Sequence, residues 1–391
     1  MKKVRKAIYA LSADPITFGH LNIVDRMLKT FDFVLVGIGI NPDKHYLFTI
    51  EEREKLTKYV LKKKYGDRVE VKSYTGLLTD FAYENQIKAI VRGARNTVDF
   101  DFEKMLVDIN QGLRLNLDTY ILIADQALSH ISSSTVKELQ KHQANNILDY
   151  VPLTVKQALE MKISGQFLIG VTGGIGCGKS YVTRKLLERG KADPECAHLF
   201  HSIDMDELGR HILKDSTQNI HLEIRQQIAK AIGRDILVDS KIDIAKLLVH
   251  LFDSPRSTVI RKKFEEIMEE PMTHLLRKSL RDLRGIVLIN SALFVESNIC
   301  GLVNNNILFI ECTERTRLAR LRKGRRYTKE QIENRLLAQL SPDEKLKAIN
   351  KQIEEHSCGR LIKFTNKKNN DNEIIELYNY LWNLCTNAEF L

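Results

Sequence analysis

Short apolar runs alternate with longer segments of mixed polarity through the first 150 residues of the chain. Residues 7–11, 32–40, 69–72, 89–92 and 119–124 are apolar and rich in Val and Ile. That is the pattern of strands covered on both faces. Residues 19–29, 50–64, 79–84, 98–113 and 133–141 lie between them or close the series, with apolar positions at helical spacing. Thr49, three residues before Glu52, fits a capping box at the start of the second helix. This β-α-β-α rhythm predicts a doubly wound parallel sheet.

Residues 152–164 read as one further helix, closed by Gly165. A second strand, loop and helix begin at 167–172. We place a domain boundary there, giving domains 1–164 and 165–391 of a two-domain α/β protein, each domain a doubly wound parallel sheet. The second domain is richer in helix between 205 and 284, with strands at 286–290, 307–312 and 361–364. A polar turn at 367–372 precedes a last helix.

Composition adds little to this and removes much. Of the 391 residues, 43% are hydrophobic and 28% charged, as in an ordinary globular chain. No apolar run approaches the roughly 18 residues of a membrane helix. The basic start runs directly into the first strand rather than into a signal sequence, which points to a cytoplasmic protein without a membrane partner. The net charge of +10 is spread over both domains, with no basic arm, so no nucleic-acid partner is expected. The six cysteines include no C-x-x-C pair, so zinc or thioredoxin chemistry has no ligand pattern here.

The strongest chemical signal is Gly173-Gly174-Ile175-Gly176-Cys177-Gly178-Lys179-Ser180, between a predicted strand and a predicted helix. It is a phosphate-binding loop: glycines turn backbone N–H groups toward phosphate, Lys179 reaches the β- and γ-phosphates, and Ser180 is placed to ligate Mg²⁺. Asp204 and Asp206 end the next strand, placed either to orient an attacking hydroxyl or to cap a helix. Residues 315–326 hold six arginines, which suit either a solvated face or a lid closing on phosphate. In the first domain, Thr17-Phe18-Gly19-His20 opens a helix where the backbone favours an anion. Arg92-Gly93-Ala94-Arg95 follows a strand and Ile131-Ser132-Ser133-Ser134 opens another helix, so one sheet edge gathers three anion-binding features. Together they suggest a second nucleotide site.

These residues resemble two families. Residues 1–160 resemble bacterial phosphopantetheine adenylyltransferase, through Asp-Pro-Ile-Thr-Phe-Gly-His at 14–20, Asn-Pro-Asp-Lys at 41–44, Phe-Thr-Ile-Glu-Glu-Arg at 48–53, Arg-Gly-Ala-Arg at 92–95, Asp-Phe-Asp-Phe-Glu at 99–103 and Ile-Ser-Ser-Ser-Thr-Val-Lys-Glu at 131–138. Residues 167–366 resemble dephospho-CoA kinase, through the phosphate loop, Ile-Asp-Met-Asp-Glu-Leu-Gly-Arg at 203–210, and Arg335, Gln339, Glu344 and Lys345. The resemblance implies a Rossmann-like nucleotidyltransferase followed by a P-loop kinase. The product of the first would be the substrate of the second, and together they would complete coenzyme A synthesis from phosphopantetheine, with ATP at both sites and Mg²⁺ as cofactor. It also implies assembly into homo-oligomers through the first domain.

Site residues follow from the same resemblance. His20 would stabilise the transition state, with Lys44 and Arg95 beside it. Lys44, Leu78 and Arg92 would hold phosphopantetheine, and Ser12 would meet both substrates. Ala13, Gly93, Ala94, Arg95, Glu103, Leu128, Ser129, His130, Ile131, Ser132, Ser133 and Ser134 would hold ATP. In the kinase, Asp206 would be the base, and Gly176, Cys177, Gly178, Lys179, Ser180 and Tyr181 the phosphate loop. Arg210 would bind the acceptor, and Arg325 or a neighbour would be the lid arginine. The sequence departs from the first family at Leu11, where a glycine is usual, and at Phe102, where tyrosine is. From the second it departs at Glu270, Ala292 and Gly324. Two other readings are a nicotinamide-nucleotide adenylyltransferase joined to a riboside kinase, and a kinase preceded by a regulatory nucleotide-binding domain without catalysis. The Ile-Ser-Ser-Ser segment, Lys44, and the Arg92 and Arg95 pair favour the coenzyme A reading.

Overall fold

The computed structural model describes residues 4–41, 44–112, 115–194, 196–253, 257–324, 339–367 and 370–386. These fall into two compact units, the first through Ile163 and the second from Ser164.

In the first unit, β1 (Lys6–Leu11), α1 (Phe18–Thr30), β2 (Phe33–Ile38), α2 (Ile50–Tyr65), β3 (Val69–Ser73), α3 (Leu78–Glu84), β4 (Ala89–Ala94), α4 (Thr97–Gly112), β5 (Asp118–Ile123), α5 (Ser133–Lys141) and α6 (Leu153–Leu159) follow in order. The sheet runs β3-β2-β1-β4-β5 and every pairing is parallel. Alternate strand residues serve opposite layers, as the pleat requires. Ala7, Tyr9, Val34, Val36 and Val91 share a core with Leu21, Val24 and Leu56, whereas Ile8, Leu35 and Ile90 pack with Phe81 and Ala82 of α3. The order reverses beside β1, between β2 on one side and β4 on the other. Chain connections there leave the carboxyl edge in opposite directions and open a crevice.

Three local features differ from the sequence reading. β4 continues to Ala94, so Arg92, Gly93 and Ala94 are strand residues rather than the loop after a strand. The span 152–164 is α6 followed by a wider π turn, Glu160–Ser164. Leu11 is a strand residue opposite Ile38, and its side chain packs on the core. The left-handed backbone of this opening falls instead on Ala13, at φ 48°. The capping box is present: Glu52 N–H donates to Thr49 Oγ1 at 3.2 Å and Thr49 N–H to Glu52 Oε2 at 2.8 Å.

In the second unit, the elements are β6 (Gln166–Thr172), α7 (Lys179–Ala192), β7 (Phe200–Asp204), α8 (Met205–Arg210), α9 (Asn219–Ile232), β8 (Leu237–Val238), β9 (Lys241–Ile242), α10 (Ile244–Leu248), α11 (Ser257–Leu280), β10 (Gly285–Asn290), β11 (Asn306–Glu311), α12 (Glu314–Gly324), α13 (Pro342–His356), β12 (Arg360–Thr365) and α14 (Asp371–Thr386). Its sheet runs β12-β11-β6-β10-β7, again all parallel. β6 and β10 are wholly buried, which explains their unbroken apolar sequences. The helices between β7 and β10 build a separate core around Ile212, Ile228, Ile236 and Met268. The small β8–β9 hairpin was not legible in the sequence. Its turn, Asp239-Ser240, has positive φ at both residues without a glycine to announce it.

Candidate active sites

In the first unit, a cleft of about 820 Å³ opens at the switch point. Its walls come from the loop after β1, the start of α1, the loop after β2, the end of β4, α4 and the start of α5. Thr17 caps α1, and His20 takes the third helical position, where an acidic side chain usually closes the box. Thr17 N–H donates to His20 Nδ1 at 3.0 Å, and Thr17 Oγ1 lies 3.1 Å from the same nitrogen. A backbone N–H needs an acceptor, so Nδ1 is unprotonated and the proton sits on Nε2. Burial, reinforced by the positive charge of Arg95, lowers the His20 pKa to about 4.

Arg92 makes a two-pronged pair with Glu103, at 2.6 and 2.8 Å, and donates through Nη1 to Ala10 O at 3.1 Å. Burial opposes its charge, but Glu103 outweighs burial and raises its pKa. Arg95 is held at 2.8 Å by Asp99, one turn along at the start of α4. Buried Asp14 accepts from Leu47 N–H, Phe48 N–H and Lys137 Nζ, so it ties the loop after β2 to α5.

In the second unit, the loop after β6 bends through Gly173, Gly176 and Gly178, all at positive φ. A side chain at Gly173 would stand 2.0 Å from Ile310 O, and one at Gly178 would stand 2.2 Å from Asn366 Nδ2. Lys179 opens α7 and lays its ammonium on Gly173 O and Gly174 O, at 3.0 and 3.3 Å. Two donors pin Cys177 O: Asn366 Nδ2 at 2.8 Å and Arg320 Nη1 at 2.9 Å. Asn370 backs Asn366 at 3.0 Å. Asp204 caps α8 by accepting from Asp206 N–H at 2.8 Å and Glu207 N–H at 3.3 Å. Lys345, fully buried, donates to Ala292 O at 2.7 Å and pairs with Glu296 at 2.9 Å.

Residues 9–139 match the cytidylyltransferase-like family model, and residues 167–358 match the dephospho-CoA kinase model. Phosphopantetheine adenylyltransferase from Clostridium tetani is 44% identical over 133 residues, which are 34% of this chain and 82% of that protein. The enzyme of the same name from Clostridium kluyveri is 45% identical over 134 residues, 34% of this chain and 80% of that protein. The chain belongs to the phosphopantetheine adenylyltransferase family. Behind that domain it carries a dephospho-CoA kinase domain, and two such domains on one polypeptide support the last two steps of coenzyme A biosynthesis. A dephospho-CoA kinase structure from Campylobacter jejuni aligns over 55% of this chain and 97% of its own, at 19% identity and a TM-score of 0.31.

The adenylyltransferase cleft gathers Ser12, Ala13, His20, Lys44, Arg92, Gly93, Arg95, Glu103, Leu128, Ile131, Ser132, Ser133 and Ser134 in its lining. Four of the residues expected there lie outside it. Leu78, the first residue of α3, packs against the Ile8 layer, Ala94 is fully buried, Ser129 bonds Gln126 O, and His130 turns outward against the Tyr150 ring. In the kinase domain, Gly176, Cys177, Gly178, Lys179 and Ser180 form one loop, and Tyr181 is exposed beside Arg184. Asp206 and Arg210 are exposed on α8. Arg325 lies outside the described residues, as does Arg335.

Sequence reasoning passed over Arg53, Arg317, Arg320 and Asn366. Arg317 and Arg320 reach the phosphate loop, where they meet a Cβ built at Gly174 and Gly178. The run of arginines gave the signal for these two but not the register. Nothing in the sequence marked Asn366, a single amide after a strand. Among the described residues, no three His, Cys, Asp or Glu side chains converge as a metal cage, and no helix is long and apolar enough to cross a membrane.

Proposed function

We propose that domain 1–164 transfers the adenylyl group of ATP to phosphopantetheine and that domain 165–391 phosphorylates the ribose 3′-hydroxyl of the resulting dephospho-CoA. The observation that carries this reading is the cleft at the switch point, which unites His20, Lys44, Arg92 and Arg95 around one space. A phosphate oxygen of phosphopantetheine attacks the α-phosphorus of ATP and pyrophosphate leaves. No covalent enzyme intermediate is needed, so the residues act by positioning and by stabilising charge. The proton held on Nε2 makes His20 a neutral donor to the developing negative charge. Lys44 and Arg92 hold the acceptor phosphate, and Arg95 with the Ser132–Ser134 turn holds the nucleotide phosphates.

In the kinase, backbone N–H groups of the phosphate loop receive the ATP phosphates, and Lys179 exchanges its carbonyl contacts for phosphate oxygens. Asp206 takes the proton of the attacking hydroxyl, and the arginines of α12 spread the charge of the transferring group. Ser180, exposed in the first turn of α7, fits Mg²⁺ that arrives with the nucleotide. Such an ion draws most ligands from phosphate and water and needs only one or two protein oxygens. Bound there, Mg²⁺ would offset the negative charge of the ATP phosphates. Copies associate through the adenylyltransferase domain, a reading supported by Met105 and Ile109, which α4 leaves exposed outside the cleft.

Separate steady-state assays test the two halves. Pyrophosphate release should require phosphopantetheine, and ADP release should require dephospho-CoA. Turnover of nicotinamide mononucleotide in place of phosphopantetheine would replace this reading with the nicotinamide one.

A further inference from the structure

The Phe-Thr-Ile-Glu-Glu-Arg segment ends in Arg53, which the mechanism above leaves unused. Arg53 sits in the first turn of α2 and is 2% exposed. A cation there is opposed by the helix dipole, and a buried guanidinium is costly unless its donors are satisfied. Among the described residues no carboxylate pairs with it. Its Nη1 instead donates to two carbonyls, Ser12 O at 2.7 Å and Gly39 O at 3.0 Å. Those carbonyls belong to the chain segments leaving β1 and β2. Its charged plane also carries the Tyr46 ring, with the guanidinium carbon 4.0 Å from the ring centre.

Tyr46 passes this contact on. Asn41 N–H donates to Tyr46 Oη at 2.7 Å, and Lys44 N–H donates to Asn41 O at 3.1 Å. The stretch that presents Lys44 to the cleft is therefore built on the Arg53 guanidinium. Ser12, Gly39 and Tyr46 all line the cleft, while Arg53 lies directly behind them. A lysine ammonium could meet both carbonyls, as Lys179 does in the kinase domain, but it has no flat charged plane to lie against the Tyr46 ring, so that support is lost.

We propose that Arg53 is a positioning residue for adenylyl transfer, joining the loops after β1 and β2 so that Lys44 meets the acceptor phosphate in register with Ser12. This rests on the reading of the cleft as the adenylyl-transfer site with Lys44 on the acceptor.

A double-mutant cycle on the full chain tests it, with pyrophosphate release normalised to the folded fraction of the first domain measured by calorimetry. Arg53→Lys should lower kcat/KM for phosphopantetheine on the order of 10²-fold, the usual cost of a misplaced reacting group. In the Lys44→Ala background the same change should cost less than about threefold, because the residue being positioned is gone. Tyr46→Phe, which keeps the ring but loses the acceptor for Asn41, should cost about tenfold in the Lys44 background and little in Lys44→Ala. It keeps the test alive if Arg53→Lys does not fold. Costs that multiply in both cycles would overturn the role of Arg53 while leaving Lys44 in the site. A neutral Lys44→Ala would remove Lys44 from the site, and the Arg53 proposal with it.

Discussion

The main-chain N–H of Thr17 donates to Nδ1 of His20 at 3.0 Å, and this contact decides where the imidazole keeps its proton. The histidine that closes the helix cap is thereby fixed as a neutral Nε2–H donor. With its pKa lowered to about 4, His20 stays neutral through the physiological range. His20→Ala should slow adenylyl transfer by a factor on the order of 10². Between about pH 5.5 and 8, the wild-type rate should show no step belonging to His20, and its ring should appear by NMR as the Nε2–H tautomer. An imidazolium at pH 6 would contradict this.

Burial of His20, with Arg95 nearby, has a cost in acid. The unfolded chain protonates His20 near 6.5, whereas the folded chain resists until about 4. Below the unfolded value the unfolded state binds more protons, so stability falls as pH drops through that window. Urea unfolding of the first domain at pH 7 and pH 5 should therefore show a larger loss for the wild type than for His20→Gln. Equal losses would mean that His20 titrates normally.

Leu11 replaces the glycine usual at its position, yet it sits on β1 opposite Ile38 with its side chain on the core. Restoring glycine removes that packing and adds backbone freedom. Leu11→Gly should destabilise the first domain by about 1–3 kcal/mol and raise adenylyl transfer by less than about threefold. Thermal melts and pyrophosphate release check both. A large gain in rate would show that Leu11 obstructs the nucleotide.

The parallel sheets and the phosphate loop were legible because buried strands write themselves as Val- and Ile-rich runs and the loop as glycines at fixed spacing. Contacts made by one polar residue across the fold were not. Arg53 looks like any surface arginine of a charged helix start, and Asn366 like any loop amide, until the sheet brings their carbonyl partners to them. Lys345 and Ala292 were each noticed separately, 53 positions apart, but only the fold makes them one hydrogen bond. Leu78 was expected at the substrate by resemblance alone, and in this structure it opens α3 and packs on the Ile8 layer.

Asn366 and Arg320 share the Cys177 carbonyl. Because the peptide is planar and trans, fixing that carbonyl aims Gly178 N–H the opposite way, as a phosphate cradle needs. Asn366→Ala should raise the kinase KM for ATP about tenfold and leave pyrophosphate release by the first domain unchanged. Unchanged ATP affinity would make the contact purely structural.

Lys179→Ala should abolish ADP release from dephospho-CoA and leave adenylyl transfer at the wild-type rate, since each unit has its own core and its own site. Loss of both activities would show that the two halves do not work independently.

One polypeptide should carry out both steps in sequence. The most direct measurement is mass spectrometry of products after incubating the purified chain with phosphopantetheine, ATP and Mg²⁺, beside a sample started from dephospho-CoA. Coenzyme A is expected in both samples, with dephospho-CoA as a transient only in the first. Coenzyme A in the second sample alone would contradict this, because the first domain would then not carry out adenylyl transfer.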